Sequence, residues 1–208
     1  MIKTLFHYWR SSSSWRVRWA LELKRLKPTM VHVNLLEGES ESPSHLKRNP
    51  MGAVPVLETD GGKYLIESVA ILEFLDETIP SRKLFPGDAY QKSHIRSLVE
   101  IINSGIQPLQ NLSTLDYLSE KDEERVKWSR HFITKGLFAY EKLCNNTAGK
   151  FSVGDEVTAA DLFLIPQLYN ALRFNLDLKT FGVLEKINQN ALATPEGMAS
   201  HPDRYKPV

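Results

Sequence analysis

The apolar positions of the first eighty residues change period several times. Ile2 to Trp9 is an almost continuous apolar and aromatic run, which predicts a strand. From Trp15 to Leu26 the spacing turns helical: Trp15, Trp19, Leu23 and Leu26 form one stripe, widened by Val17, Ala20 and Leu21. Pro28 closes that helix, and Thr29 to Leu36 reads as a strand around Met30, Val31 and Val33. Two strands joined by one helix in this way are expected to pair in parallel. A polar loop, Glu37 to Arg48, leads through Asn49-Pro50-Met51-Gly52-Ala53 to Val54-Pro55. Val56 to Thr59 and Lys63 to Ile66 then flank Asp60-Gly61-Gly62, a turn suited to an antiparallel hairpin. Ser68 is expected to cap the next helix, which carries Val69, Leu72 and Leu75 on one face.

Beyond Ile79 the strand periods stop. Ile79 to Asp88 is rich in turn formers, and Tyr90 to Leu118 is helical, with an interruption expected at Gly105 and Pro108. Ser119 and Asp122 give a capping-box-like start to a helix that runs to about Asn145. Thr158-Ala159-Ala160-Asp161 is a fuller capping box, with Val157 placed to staple onto Leu162. Pro166 lies inside that helix and is expected to kink or break it. A last helix covers Phe181 to Leu192, and Ala193 to Val208 reads as a polar tail. The expected fold is an α/β domain over 1–80, a linker over 81–88 and an all-helical domain over 89–208.

Composition narrows the choices. A chain of 208 residues with 42% hydrophobic content is long enough for two cores. Lys+Arg 26 against Asp+Glu 25 leaves a formal charge of +1, so no global basic field points to nucleic acid or a membrane surface. No apolar run approaches the ~20 residues that span a bilayer, and Met-Ile-Lys-Thr-Leu-Phe-His lacks the long apolar stretch of a signal peptide, so none is expected. The single cysteine, Cys144, excludes a disulfide scaffold, a Cys-rich zinc module and a CxxC redox pair. The six histidines show no metal-ligand spacing, so no metal is expected. A cytoplasmic protein is the expectation.

Four features carry candidate chemistry. Ser11 to Ser14 stands between a strand and a helix, where free amides and the helix dipole favour an anion. One serine suffices for a cap; four, flanked by Arg10 and Arg16, suit an anion site as well. Val54-Pro55 is either an ordinary strand-start proline or a cis bond that presents the Val54 backbone to a ligand. Glu67-Ser68 at a helix start is either charge compensation with a cap or a clamp for the ammonium and carboxylate of one small ligand. Arg173, at the end of an apolar helix, suits the dipole or a carboxylate anchor. A nucleophile elbow of the Gly-x-Ser-x-Gly kind is absent.

These residues resemble a known family. The β-α-β then β-β-α order with Val-Pro and Glu-Ser, followed by helices with Thr-x-x-Asp, looks like a cytosolic glutathione transferase. Arg10-Ser11-Ser12-Ser13-Ser14-Trp15-Arg16-Val17-Arg18 is similar to the zeta-class signature Ser-Ser-Cys-x-Trp-Arg-Val-Arg. Ile106 to Ser113, Val153 to Leu162, Ile165-Pro166-Gln167 and Arg173-Phe174 with Asp177 continue the likeness. It covers about residues 4 to 195. The class includes maleylacetoacetate isomerases.

The resemblance implies a thioredoxin-like first domain that binds glutathione, an all-α second domain, and a homodimer. Ser11 would stabilise the glutathione thiolate, with Ser12, Ser13, Ser14, Trp15 and Arg16 around it. Val54, before a cis Pro55, would pair with the cysteinyl backbone of the tripeptide. Glu67 and Ser68 would hold its γ-glutamyl end, and Gln107, Asn111, Leu112 and Ser113 would reach it from the second domain. Arg10, Arg16 and Arg173 would take the carboxylates of a small acidic electrophile. Three departures stand out. Ser13 replaces the class cysteine, Glu67 stands where the pattern often has Gln, and the Glu37–Arg48 loop is about two residues short. The implied reaction is cis–trans isomerisation of maleylacetoacetate or a related unsaturated dicarboxylic acid. Conjugation or dehalogenation of α-halo acids, and non-catalytic glutathione binding, are the alternatives.

Overall fold

Residues 2–207 are described by the computed structural model. Their packing divides the chain into two units. One is the chain up to Leu84 together with the segment from Pro195 on; the other is Phe85–Thr194. The expected helical span of 89–208 is therefore shortened at its end. Residues 195–207 pack on the first unit because Trp15 and Arg18 find hydrogen-bond partners there, at Ser200.

The first unit opens with β1 (Ile2–His7), α1 (Ser12–Leu23) and β2 (Thr29–His32). β1 and β2 pair in parallel, with Phe6 opposite Val31. β2 ends earlier than its apolar pattern suggests, because Asn34 Oδ1 accepts the Leu36 amide and turns the chain into a short 3-10 helix, Leu35–Glu37. The polar loop holds a second 3-10 turn and α2 (Pro43–Leu46), capped by Ser42. β3 (Val56–Thr59) and β4 (Tyr64–Ile66) form the expected hairpin. Its turn closes with Gly62 N donating to Thr59 O at 2.9 Å, and Gly62 takes φ +70°, a conformation that glycine adopts at little cost. Strand order is β2-β1-β3-β4. α3 (Ser68–Thr78) packs on α1, as does α9 (Pro195–Ser200).

That double cover explains α1. The sequence shows one apolar stripe, but the helix is buried nearly all round, including Arg16 and Arg18. It ends at Leu23, short of Leu26, in a Schellman-like turn: Leu26 N donates to Leu21 O at 2.9 Å and Arg25 takes φ +56°. The α1–α3 contact is locked below by an ion pair, Lys24 Nζ to Asp76 Oδ1 at 2.9 Å, with Lys24 fully buried.

The second unit is helical: α4 (Ala89–Asn103), α5 (Leu112–Leu118), α6 (Asp122–Cys144), α7 (Ala159–Arg173) and α8 (Gly182–Leu192). The interruption at Gly105 and Pro108 is real, filled by a 3-10 turn over Gln107–Gln110. α4 packs on α6 and α7 around Ile95, Leu98, Ile133, Leu137, Phe163 and Leu168. Cys144 is buried here, and burial pushes its thiol up to about 12. Ser119 does not cap α6 as expected; it accepts the Lys121 amide and donates to Glu124. The Thr158 capping box is present, Thr158 N donating to Asp161 Oδ2 at 2.8 Å. α7 runs on through Pro166 as one helix, so of the expected kink or break the break does not occur.

Candidate active site

Register brings the serine run, Val54-Pro55 and Glu67-Ser68 to one end of the sheet. Phe6 near the end of β1 pairs with Val56 at the start of β3, and Val56 pairs with Ile66 at the end of β4. The residues just beyond that row are therefore Ser11, Val54 and Glu67. Three features far apart in sequence share one edge.

Ser11 is the N-cap of α1, its backbone extended at φ −65°, ψ 121°. Its Oγ accepts the Ser14 amide at 3.1 Å. A hydroxyl has one proton and two lone pairs, so this bond fixes the oxygen and leaves the O–H to donate elsewhere. Ser11 is partly exposed. The Ser12 and Ser13 amides enter no hydrogen bond among the described residues, so the helix start offers donors beside that hydroxyl. A cap and a hydroxyl with its proton unclaimed coincide in one residue.

Val54-Pro55 is a cis peptide bond, the second of the two readings. Val54 amide and carbonyl lie outside the sheet ladder and outside the turn and cap bonds. The loop before it is held by His45 Nε2 and Asn49 Nδ2, which both reach Ala53 O, at 3.0 and 2.9 Å. Glu67 is exposed and takes φ +65°, ψ 119°, a region that costs a non-glycine residue roughly 1–3 kcal/mol. It, not Ser68, is the N-cap of α3, and its side chain makes no cap bond.

Several expected contacts are redirected. Ser68 is the first residue of α3, nearly buried, and its hydroxyl accepts from Arg16 Nη1 at 3.1 Å. Arg16 is fully buried, so it braces α3 against α1 rather than meeting a solute carboxylate. Ser14 is also fully buried, its Oγ accepting the Tyr8 amide at 3.3 Å. Trp15 turns inward too, its indole N–H donating to Ser200 Oγ at 3.0 Å. The physical reason is the same for all three: the covering C-terminal segment and α3 leave no solvent face on this part of α1. Ser12 sits at the border of burial, Ser13 is half-buried, and Arg10 is half-buried beside the Trp9 ring, 5.7 Å from its centroid.

In the second unit, Gln107 opens the 3-10 turn and Asn111 caps α5 through Oδ1 and the Leu112 amide. Asn111, Leu112 and Ser113 are exposed, and Arg173 is exposed at the end of α7, 3.3 Å from Asn170 Oδ1. The turn is fastened by a reciprocal pair the sequence did not suggest. Gln110 and Gln167 are both buried and exchange amide hydrogen bonds at 2.7 and 3.0 Å. Trp128 Nε1 adds a bond to Leu109 O at 2.9 Å. Two hollows of this unit, of about 600 and 430 Å³, contain none of the candidate residues.

The other residue missed was Arg18, buried behind the serine turn. Its signal was present, a second arginine two positions after Arg16, set among Trp15, Val17 and Trp19. Burial pushes its guanidinium down to about 10, still a cation at neutral pH. Burial first, and Arg18 second, push the neighbouring His7 down to about 3.

Comparison with known proteins defines the class first. Residues 1–77 match the family model described as glutathione S-transferase, N-terminal domain, and residues 109–202 match glutathione S-transferase, C-terminal domain. Among relatives, the probable maleylacetoacetate isomerase 2 of Drosophila melanogaster is 44% identical over 95% of this chain and 87% of its own. The zeta-class glutathione S-transferase of Euphorbia esula is 44% identical over 96% of this chain and 90% of its own. A crystal structure of maleylacetoacetate isomerase from Anaeromyxobacter dehalogenans 2CP-1, with GSH bound in the active site, superposes with a TM-score of 0.89. It shares 44% identity, covering 98% of this chain and 96% of that one. A second crystal structure of that protein holds dicarboxyethyl glutathione and citrate in the active site (TM-score 0.89, 43% identity, 98% and 95% coverage). The chain belongs to the zeta-class glutathione transferase and maleylacetoacetate isomerase family. No helix among the described residues is long and apolar enough to cross a membrane.

Proposed function

We propose that this protein is a glutathione-dependent cis–trans isomerase of maleylacetoacetate or a related unsaturated dicarboxylic acid. The observation that carries the reading is Ser11: a partly exposed hydroxyl at a helix start, fixed by its cap bond with the proton free. A thiol of pKa near 8.5 is mostly protonated at neutral pH, and the thiolate is the nucleophile. A hydroxyl donor and unclaimed amides at a helix N-terminus stabilise that anion without a general base. The free Val54 backbone suits the extended cysteinyl part of the tripeptide, and Glu67 suits its ammonium. Gln107, Asn111, Leu112 and Ser113 are the second unit's proposed contacts to glutathione.

The reaction then needs three steps. The thiolate adds to the conjugated double bond, and the electron pair moves to the conjugated carbonyl oxygen. The former double bond, now single, rotates. The pair returns, the carbon–sulfur bond breaks, and the trans product leaves with glutathione regenerated. Dicarboxyethyl glutathione, held by the A. dehalogenans relative, carries on glutathione a two-carbon group with two carboxylates, as addition of a thiol across the double bond of a butenedioic acid gives. Arg10 and Arg173 are the proposed carboxylate partners, since guanidinium pairs bidentately with carboxylate. Ser13 leaves no enzyme thiol at the site, so all the sulfur chemistry belongs to glutathione. We further infer a homodimer working in the cytoplasm, where glutathione is plentiful; light scattering of the purified protein tests the first of these.

The test is isomerisation of maleylacetoacetate with and without glutathione. Activity is expected only with it; equal rates without it overturn the reading. Ser11→Ala is expected to lose about 10²–10³ in kcat, and Ser13→Ala to stay near the parent. The reverse order moves the catalytic role to Ser13. Turnover confined to α-halo acids assigns the protein to conjugation instead.

A further inference from the structure

Arg18 ties the far end of the chain to the turn ahead of Ser11. Arg18 is 1% exposed. Nη1 donates to Tyr8 O at 3.3 Å, Nη2 to Trp9 O at 3.0 Å, and Nε to Ser200 O at 3.3 Å. Nη1 also lies 3.3 Å from His7 Nδ1, and the Tyr205 ring centroid is 4.6 Å from the guanidinium carbon. A buried cation costs several kcal/mol unless its donors are satisfied. Here the acceptors are backbone carbonyls, two of them consecutive in one turn. Only the planar fork of arginine spans such a set; an ammonium is a point donor.

The turn it holds is the one that places Ser11. Tyr8 O accepts both Arg18 and the Ser11 amide, the latter at 3.2 Å. Tyr8 N donates to Ser14 Oγ, and Ser14 N donates to Ser11 Oγ. Every hydrogen bond that fixes the Ser11 side chain therefore belongs to a network with Arg18 at its back. The C-terminal segment closes that back. Ser200 supplies its carbonyl to Arg18 and its hydroxyl to Trp15, and passes its own proton to Gly197 O at 3.1 Å. His201 packs edge-on against Trp15 and Tyr205 edge-on against His7, with centroids 5.1 and 5.5 Å apart. Arg82 pins the start of the segment through Glu196 at 2.5 Å.

We propose that Arg18 is a positioning residue for Ser11, and that residues 195–205 are the template that holds Arg18 in place. This rests on the reading of Ser11 as the thiolate donor. A shift of the Tyr8–Ser11 turn by a fraction of an ångström moves the hydroxyl off the sulfur while leaving the rest of the glutathione contacts intact. The effect therefore falls on kcat and on thiolate formation more than on glutathione affinity.

The test uses full-length Arg18→Lys, Arg18→Met, Tyr205→Ala and Tyr205→Phe. Three readouts are compared: kcat and KM at saturating glutathione, ultraviolet titration of the bound thiolate, and hydrogen exchange over residues 8–14. Lysine keeps the charge without the fork, and phenylalanine keeps the ring over the guanidinium. Folded Arg18→Lys and Tyr205→Ala are expected to lose roughly tenfold to a hundredfold in kcat, to form thiolate only at higher pH, and to exchange faster over 8–14. Tyr205→Phe is expected to restore parent behaviour. Wild-type kcat with unchanged exchange in the folded variants overturns the proposal. Should Arg18→Met fail to fold, the contrast between Tyr205→Ala and Tyr205→Phe decides. Failure of the functional reading looks different: the parent protein itself then gives no thiolate signal with glutathione, and the exchange over 8–14 alone says whether Arg18 holds the turn.

Discussion

Ser11 combines a helix cap with the hydroxyl proposed as the thiolate donor, and the residues around it show why neighbours in a motif need not share a role. Ser14, three positions on, faces the interior and satisfies the Tyr8 amide. Ser13 carries the position of the class cysteine without a thiol. His7, on the strand behind them, is neutral in the fold, its proton affinity lowered from 6.5 to about 3 by burial, Arg18 and His32. Between those two values the unfolded chain binds a proton that the native state refuses. Stability from this group is therefore complete above pH 6.5 and falls progressively as pH drops toward 3. His201, also lowered by burial, adds a slope of the same sign. The urea midpoint is expected to fall as the medium is acidified through this range, and His7→Gln to flatten that fall; an identical pH slope in the variant removes His7 as its source. The serine run, Val54-Pro55 and Glu67 were legible in sequence because each stands at a strand or helix boundary, where local rules operate. The burial of Arg16 was not. A guanidinium beside serines reads the same whether it faces a ligand or a helix.

At the scale of elements, the 3-10 turn over Gln107–Gln110 depends on one buried polar pair. Gln110 and Gln167 each give and accept, so the pair is satisfied internally. Removing one partner leaves a buried amide unpaired, at about 1–3 kcal/mol, whereas replacing both by apolar groups of similar shape is much less costly. Gln167→Ala is accordingly expected to lower stability by that amount, and Gln110→Met with Gln167→Met to recover most of it; a double variant as unstable as the sum of its parts defeats the pairing account. The cap at Thr158, and a cap somewhere in the run Ser11 to Ser14, followed from sequence, because a cap reaches only three residues. The continuity of α7 through Pro166 did not. There the surrounding burial, from Ala159 to Leu168, outweighs the local cost of a proline ring.

The whole molecule is divided differently from its sequence. The strand-to-helix switch near residue 80 marks one boundary, but the chain returns to the first unit from Pro195, across 185 residues between Trp15 and Ser200. Removing everything after Thr194 would expose Trp15 and strip Arg18 of Ser200 and Tyr205. The truncated protein is expected to show an early transition in tryptophan fluorescence from the first unit, separate from a later loss of helix in the second; one cooperative transition at the parental midpoint contradicts that division. The strands and the longer helices, the hairpin turn, two of the helix caps and the family signature were determined by the sequence, because periodicity, turn chemistry and capping act over a few residues; α2 and α9 were not, having been read as a polar loop and a polar tail. The burial of Arg16 and Arg18, the redirected Ser14, Trp15 and Ser68, and the place of the C-terminal segment were decided only by the tertiary structure. Burial is a property of what arrives from elsewhere in the chain, and for α1 the covering surface lies at the other end.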